Sequence, residues 1–162
     1  MRKFSEFDRQ IIFHLNADAR LSSAELARDL KTAERTVRRR IQRLIDEGVI
    51  APIAVINPEP FGFTLVVDIV CEVELALHKQ ILDVIAAMPE VCYIAYATGD
   101  EDISVQARFR DSQEVHKFIT ERLHAVPGIR RTRIVLVPQV VKDAYQWLPP
   151  ADAFAPPDED EE

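Results

Sequence analysis

The stretch from Thr32 to Gly48, TAERTVRRRIQRLIDEG, decides how the rest of the chain is read. Arg35, Arg38, Arg39, Arg40 and Arg43 fall within nine residues, with no acid among them. Val37, Ile41, Leu44 and Ile45 are spaced i, i+4, i+7 and i+8, which puts them on one face of a helix. Such a helix has an apolar back that docks on a small core and a cationic front that calls for a polyanion. Thr32 is placed to cap its start, and Gly48 to end it at the C′ position.

Toward the N-terminus, Phe4 to Asn16 reads as a first helix, with Ile11, Ile12 and Leu15 as its stripe. The segment Ser22-Ser23-Ala24-Glu25 has the S-x-x-E form of a capping box and opens a second helix carrying Leu26, Ala27 and Leu30. Lys31, Thr32 and Ala33 form a short turn before the arginine helix. Three short helices with such a turn before the last describe a helix-turn-helix in residues 1–50.

Downstream, Pro52, Pro58, Pro60 and Gly62 mark residues 51–63 as an extended linker, with room for one strand. From Thr64 the period changes to two. Val67, Ile69, Cys71 and Val73 alternate with Asp68, Val70, Glu72 and Glu74, as in a half-buried strand. A helix over 77–88, strands over 91–97 and 103–109, a helix from Asp111 and a strand from Ile129 to Pro138 complete the order β-α-β-β-α-β. Residues 64–141 therefore read as a ferredoxin-like antiparallel sheet with both helices on one face. The fold class is α+β. The open face is expected to carry Val66, Val70, Ile94, Tyr96, Val135 and Val137. That is too apolar for solvent, so a partner subunit is expected there. Residues 142–162 are rich in proline and end in DEDEE, and mostly disordered chain is expected. One role for that acidic end is to compete with DNA for the arginine helix.

The net charge of −7 argues at first against a nucleic-acid partner. Its distribution argues for one. Residues 1–50 carry 11 Lys and Arg against 8 Asp and Glu, while the remaining residues carry 9 against 19. No apolar run approaches the ~18 residues of a membrane span, and the N-terminal MRKFSEFDRQ lacks a signal-peptide core, so a cytoplasmic location is expected. Cys71 and Cys92 are the only cysteines and read as two buried thiols. His14, His78, His116 and His124 have no metal-ligand spacing. No nucleophile–base pair, phosphate loop or paired catalytic carboxylate stands out, so no cofactor, metal or enzymatic activity is expected.

The pieces FDRQIIFHLNADAR, SSAELARDL, TVRRRIQRLIDEGVI, Asn57-Pro58, TGDEDI and PGIRRTRIVLVPQVVK, in that order, resemble the Lrp/AsnC (leucine-responsive, feast/famine) family of regulators. The resemblance covers roughly residues 4–142. It implies a winged helix-turn-helix, a hinge strand, and a ferredoxin-like domain that forms dimers, often assembled into tetramers or octamers, and binds amino acids or related metabolites. It implies double-stranded DNA as partner. Arg35 and Thr36, near the helix start, then reach base edges, Arg38 and Arg39 face the groove or phosphates, and Arg43 contacts phosphate. Arg40, flanking the apolar stripe, is read either as a DNA contact or as one half of a structural ion pair. The resemblance also places Thr98, Gly99, Asp100 and Asp102 at the border of an effector pocket between subunits. As a turn, this stretch offers backbone N–H groups to a carboxylate and an aspartate to an ammonium group. Lys31-Thr32-Ala33 departs from the Gly, apolar residue and Ser usual in the family, and Pro52-Ile53 from the usual Gly-Tyr. The runner-up reading is an enzyme of tetrapyrrole side-chain decarboxylation on the same two-domain body. A third is a stand-alone metabolite-binding module.

Overall fold

A computed structural model of the chain describes residues 4–99 and 101–155. They divide into two compact units, one made of residues up to Val55 together with those from Lys142, the other of Ile56–Val141. No helix among the described residues is long and apolar enough to cross a membrane.

The first unit holds α1 (Glu6–Ala17), α2 (Ser23–Asp29) and α3 (Glu34–Asp46). The first two start with complete capping boxes. Ser5 and Asp8 cap α1, and Ser22 and Glu25 cap α2, each pair exchanging side-chain and backbone hydrogen bonds. The third has none. Its N-cap is Ala33 rather than Thr32, and no side chain caps it. The chain reaches Ala33 through Lys31, whose φ of 51° lies in the left-handed region. The Thr32 N–H turns back to donate to the Ala27 carbonyl at 2.9 Å, which draws Thr32 into the end of α2 and away from the start of α3. At the other end Gly48 has φ 69°, the αL residue that closes α3.

Ile11, Ile12, Leu26, Ala27, Val37 and Leu44 form the core of this unit. Phe154 joins them, only 7% exposed, with Leu148 packed alongside. The disorder expected over 142–162 is thus corrected for its first part. Residues 142–155 carry two 3₁₀ turns, Ala144–Gln146 and Ala151–Ala153. Phe154 makes a parallel bridge to Phe4, and the Ala155 N–H donates to the Phe4 carbonyl at 2.6 Å. A proline-rich segment makes little regular structure, but one buried aromatic side chain suffices to hold it. The acidic end at 158–162 lies outside the described residues. The strand allowed for within 51–63 does not form; residues 51–57 have no regular structure, and Ile53, Val55 and Ile56 are exposed.

The second unit has β1 (Leu65–Val73), α4 (His78–Ala86), β2 (Val91–Tyr96), β3 (Ile103–Phe109), α5 (Ser112–Lys117) and β4 (Ile129–Val137). The α5 helix continues as a π-helical turn over Phe118–Leu123. The sheet order is β2-β3-β1-β4, all neighbours antiparallel. Val67, Ile69, Cys71, Val73, Ile103, Val105, Ala107 and Phe109 face the helices and pack on Ile81, Ile85, Phe118 and Leu123. The alternation read from sequence for β1 and β3 therefore gives the buried face directly.

In β2 it does not. A register shift between Val91 and Tyr93 places Ile94 opposite Val105 and Tyr96 opposite Ile103, both on the helix side. The open face instead carries Tyr93 and Ala95. One irregular residue exchanges the faces of everything after it. The open face also carries Asp68, Ser104, Gln106 and Arg133, with Gln106 donating to Asp68 at 2.9 Å, so it is more polar than expected. Cys71 is buried, which pushes its thiol up to about 11, whereas Cys92 is exposed rather than buried.

Candidate nucleic-acid interface and effector turn

The interface is built on α3. Val37 and Leu44 are fully buried and fix which side of the helix faces inward, with Ile41 and Ile45 half-buried beside them. Arg35, Arg38 and Arg39 are consequently exposed, Arg40 and Arg43 are half-buried, and Thr36 is half-buried near the helix start.

The five arginines are not equivalent. Arg38 pairs with Glu34 one turn before it, and Arg43 with Glu47 one turn after it at 3.2 Å. Both are i,i+4 pairs near the surface, worth a few tenths of a kcal/mol and open to exchange for another anion. Arg40 turns away from the others. Its Nε lies 3.4 Å from the carboxylate of Asp8 on α1, and its guanidinium sits 5.9 Å from the Phe7 ring. Arg35 and Arg39 make no ion pair or hydrogen bond with any described residue. They are four residues apart, so they project from one side of α3. The helix thus presents two unpaired guanidinium groups, two loosely paired ones and one that is withdrawn.

The start of α3 adds to this positive end. Without a capping side chain, the Glu34 and Arg35 N–H groups make no hydrogen bond with any described residue, while that of Thr36 donates to the Ala33 carbonyl at 2.9 Å. Behind α3, Ile41 and Ile45 border a cavity of about 870 Å³ shared with Leu15, Tyr145, Trp147 and Phe154. Among the described residues, no Asp, Glu, Lys, Arg or His lines it.

In the second unit, the turn between β2 and β3 holds Thr98, Gly99 and Asp102, with Asp100 outside the described residues. Thr98 and Gly99 are exposed, and Gly99 has φ 145°, a backbone state suited to glycine. Asp102 is half-buried. One carboxylate oxygen accepts the Val73 N–H at 2.8 Å, and its own N–H donates to the Cys71 carbonyl at 3.0 Å. The Asp102 carbonyl accepts from Ala97 at 2.8 Å. Asp102 therefore ties the turn to the end of β1, with its second carboxylate oxygen unbonded among the described residues.

Two pairings escaped the sequence reading. Glu101 in the same turn binds Arg133 of β4 through Nε at 3.0 Å and Nη2 at 2.6 Å. Asp8 accounts for Arg40. Its one local signal was the Ser5-x-x-Asp8 spacing, the same capping form read at Ser22; nothing in the spacing points to α3.

Residues 4–51 match the winged helix-turn-helix DNA-binding family, and residues 68–147 match the Lrp/AsnC ligand binding domain. An uncharacterized HTH-type transcriptional regulator of Pyrococcus abyssi is 38% identical over 144 residues, covering 88% of this chain and 91% of that protein. Among solved structures, that of Escherichia coli AsnC superposes with a TM-score of 0.82 at 21% identity, covering 88% of this chain and 97% of the other. A Neisseria meningitidis transcriptional regulator in complex with L-Met gives a TM-score of 0.81 at 22% identity, covering 86% and 93%. These two likenesses concern the fold. The family is one of transcriptional regulators and not of enzymes, which removes the tetrapyrrole decarboxylase reading. Its winged helix-turn-helix binds DNA, and its second domain is a ligand-binding one, so the stand-alone metabolite module is set aside as well. The chain belongs to the Lrp/AsnC family of helix-turn-helix transcriptional regulators.

Proposed function

We propose that the protein reads particular duplex DNA sequences through α3 and that an amino acid or a related small metabolite adjusts that reading. The observation that carries the first part is the pair Arg35 and Arg39, exposed on one side of α3 with no acidic partner among the described residues. Arg35 and Thr36, at the helix start, reach base edges. Arg39 and Arg38 meet the groove wall, Arg38 by exchanging Glu34 for phosphate. Arg43 makes a phosphate contact further along by the same exchange with Glu47.

Two such helices are needed for a dimeric operator. The working unit in this reading is a homodimer, or a tetramer or octamer assembled from dimers, with half-sites ~10 bp apart or a multiple of that. Val66, Val70, Val135 and Tyr93 on the open sheet face support pairing through the second unit.

The effector site is assigned to the turn at Thr98, Gly99, Asp100 and Asp102. Gly99 gives close backbone approach, and the free oxygen of Asp102 suits an ammonium group. The L-Met bound by the Neisseria meningitidis relative supports an amino acid as the class of ligand. The effector acts by favouring one assembly or one disposition of the α3 pairs over another, since only differential affinity shifts an equilibrium.

Genomic footprinting with purified protein, with and without pooled amino acids, tests both parts together. Discrete protected sites whose occupancy changes with the pool are expected. Uniform protection with no preferred sequence would overturn sequence-specific reading, and discrete sites indifferent to the pool would overturn the effector assignment.

A further inference from the structure

We infer that Asp8 is a positioning residue for the recognition helix, acting through Arg40 to set the rotation of α3 and hence the direction of Arg35 and Arg39. The inference rests on the DNA-reading role given to α3 above.

Asp8 is buried to 1% exposure and is the one buried charged side chain among the described residues. Its two oxygens have separate tasks. Oδ2 accepts from the Ser5 N–H at 2.9 Å and the Ser5 hydroxyl at 3.0 Å, which completes the cap of α1. Oδ1 is buried and makes no hydrogen bond with any described residue; it faces Arg40 Nε at 3.4 Å. Capping uses only the first oxygen. A buried carboxylate oxygen without a partner is costly, and the arginine of α3 is the charge that offsets it.

Packing leaves this tie a real task. The α3 helix packs chiefly against α2 and has few contacts with α1. On the flank of Ile41 and Ile45 it borders the cavity, with Ile41 also touching the core. Apolar contacts are non-directional and tolerate small rotations, especially beside empty space. The Asp8 carboxylate, held in place by the cap of α1, gives the Arg40 charge one fixed point to be drawn to. Arg40 also adjoins Arg39 in sequence, so whatever fixes Arg40 fixes the base of Arg39.

The consequence differs between the two kinds of DNA contact. Base-edge hydrogen bonds weaken steeply with displacement and angle, whereas attraction to the phosphate backbone falls off slowly with distance. Loosening the Asp8–Arg40 tie therefore costs sequence discrimination while leaving general affinity in place.

The test uses the full chain and two duplexes of equal length, one selected from a random pool by the wild-type protein and one scrambled. Arg40→Gln, Arg40→Lys, Asp8→Asn and the double Asp8→Asn/Arg40→Gln are titrated across salt, with Arg39→Ala as reference. Arg40→Gln and Asp8→Asn are each expected to lose about tenfold on the selected duplex, the scale of one base contact. Neither should lose affinity for the scrambled duplex or change the salt slope. The double variant should lose no more than either single one, and Arg40→Lys, which keeps the charge beside Asp8, should recover most of the loss. A slope shallower by about 1 for Arg40→Gln, as expected for Arg39→Ala, would mean that Arg40 itself meets phosphate and would overturn the inference. So would wild-type discrimination in both single variants. If Asp8→Asn does not fold, the Arg40 variants, which leave the Ser5–Asp8 cap intact, decide by the same criteria. If the wild type selects no duplex, or Arg39→Ala changes nothing, the DNA reading itself falls and the inference with it. Failure confined to the Asp8 and Arg40 variants sinks the inference alone.

Discussion

The starts of α2 and α3 face the same physical problem and meet it differently. Each has N–H groups with no partner inside the helix. At α2, Ser22 accepts the Glu25 N–H at 3.2 Å, and Glu25 accepts the Ser22 N–H at 2.8 Å and its hydroxyl at 2.7 Å. At α3, Ala33 offers no side-chain oxygen, and the preceding residue but one, Lys31, stands in a left-handed backbone that suits glycine. The helix that supports is locally self-sufficient. The helix proposed to read DNA is not, and it is held from behind by Val37 and Leu44. A helix stabilised by its back keeps its front and its first turn available for a ligand.

The comparison can be broken most forcefully at that back. Leu44 is fully buried, and Leu44→Ala is expected to cost about 3 kcal/mol in chemical unfolding and to abolish DNA binding at ordinary temperature. A loss near zero would mean that α3 stands by local propensity after all. Lys31→Gly removes the left-handed penalty and is expected to stabilise by about 1 kcal/mol, read as a raised denaturation midpoint at unchanged slope. A fall in stability would show that the lysine side chain contributes more than its backbone costs. Ser22→Ala should lose about 1 kcal/mol, whereas Ala33→Ser should gain about 0.5 kcal/mol by supplying the absent cap. Equal and opposite signs at the two starts would sharpen the contrast; equal signs would erase it.

The smallest effect expected is one of pH. The Ser22 hydroxyl, followed by the Ser22 backbone N–H, holds the Glu25 carboxyl below its ordinary 4.5. A group depressed in the folded state adds stability above its ordinary value and loses it as pH falls through the folded one. Acid should therefore erode the cap of α2 from about pH 4.5 downward, while the start of α3 has no capping carboxylate. Thermal melts of Ser22→Ala should accordingly decline less steeply below about pH 4.5 than those of the wild type.

The legible parts of the fold were those where periodicity and burial agree. The arginine helix was readable because Val37, Ile41, Leu44 and Ile45 repeat at helical spacing, and β1 and β3 because they alternate without interruption. The faces of β2 were not readable, because the irregularity between Val91 and Tyr93 leaves no mark in composition. The seating of residues 142–155 was hidden for a related reason. Prolines and acids dominate the average over 142–162, while the seating of its first part is set by Phe154 and Leu148. In the site, the cationic front was visible as a cluster. The separation of Arg40 from the others depended on Asp8, whose sequence position reveals only that it caps α1. The Glu101–Arg133 pair joins a turn to a distant strand, a tertiary fact that local patterns do not carry.

The docking of Phe154 has a consequence for biosynthesis. A ribosome releases α1, α2 and α3 first, yet one aromatic side chain of their core is translated only after the whole sheet unit. During that interval the nascent helices lack the wall that Phe154 and Leu148 provide, and folding of this unit cannot be finished in the usual N-terminal-first order. The DNA-reading unit thus reaches its final form after the ligand-binding unit has been made, so a chain halted between the two would carry α3 without its complete support.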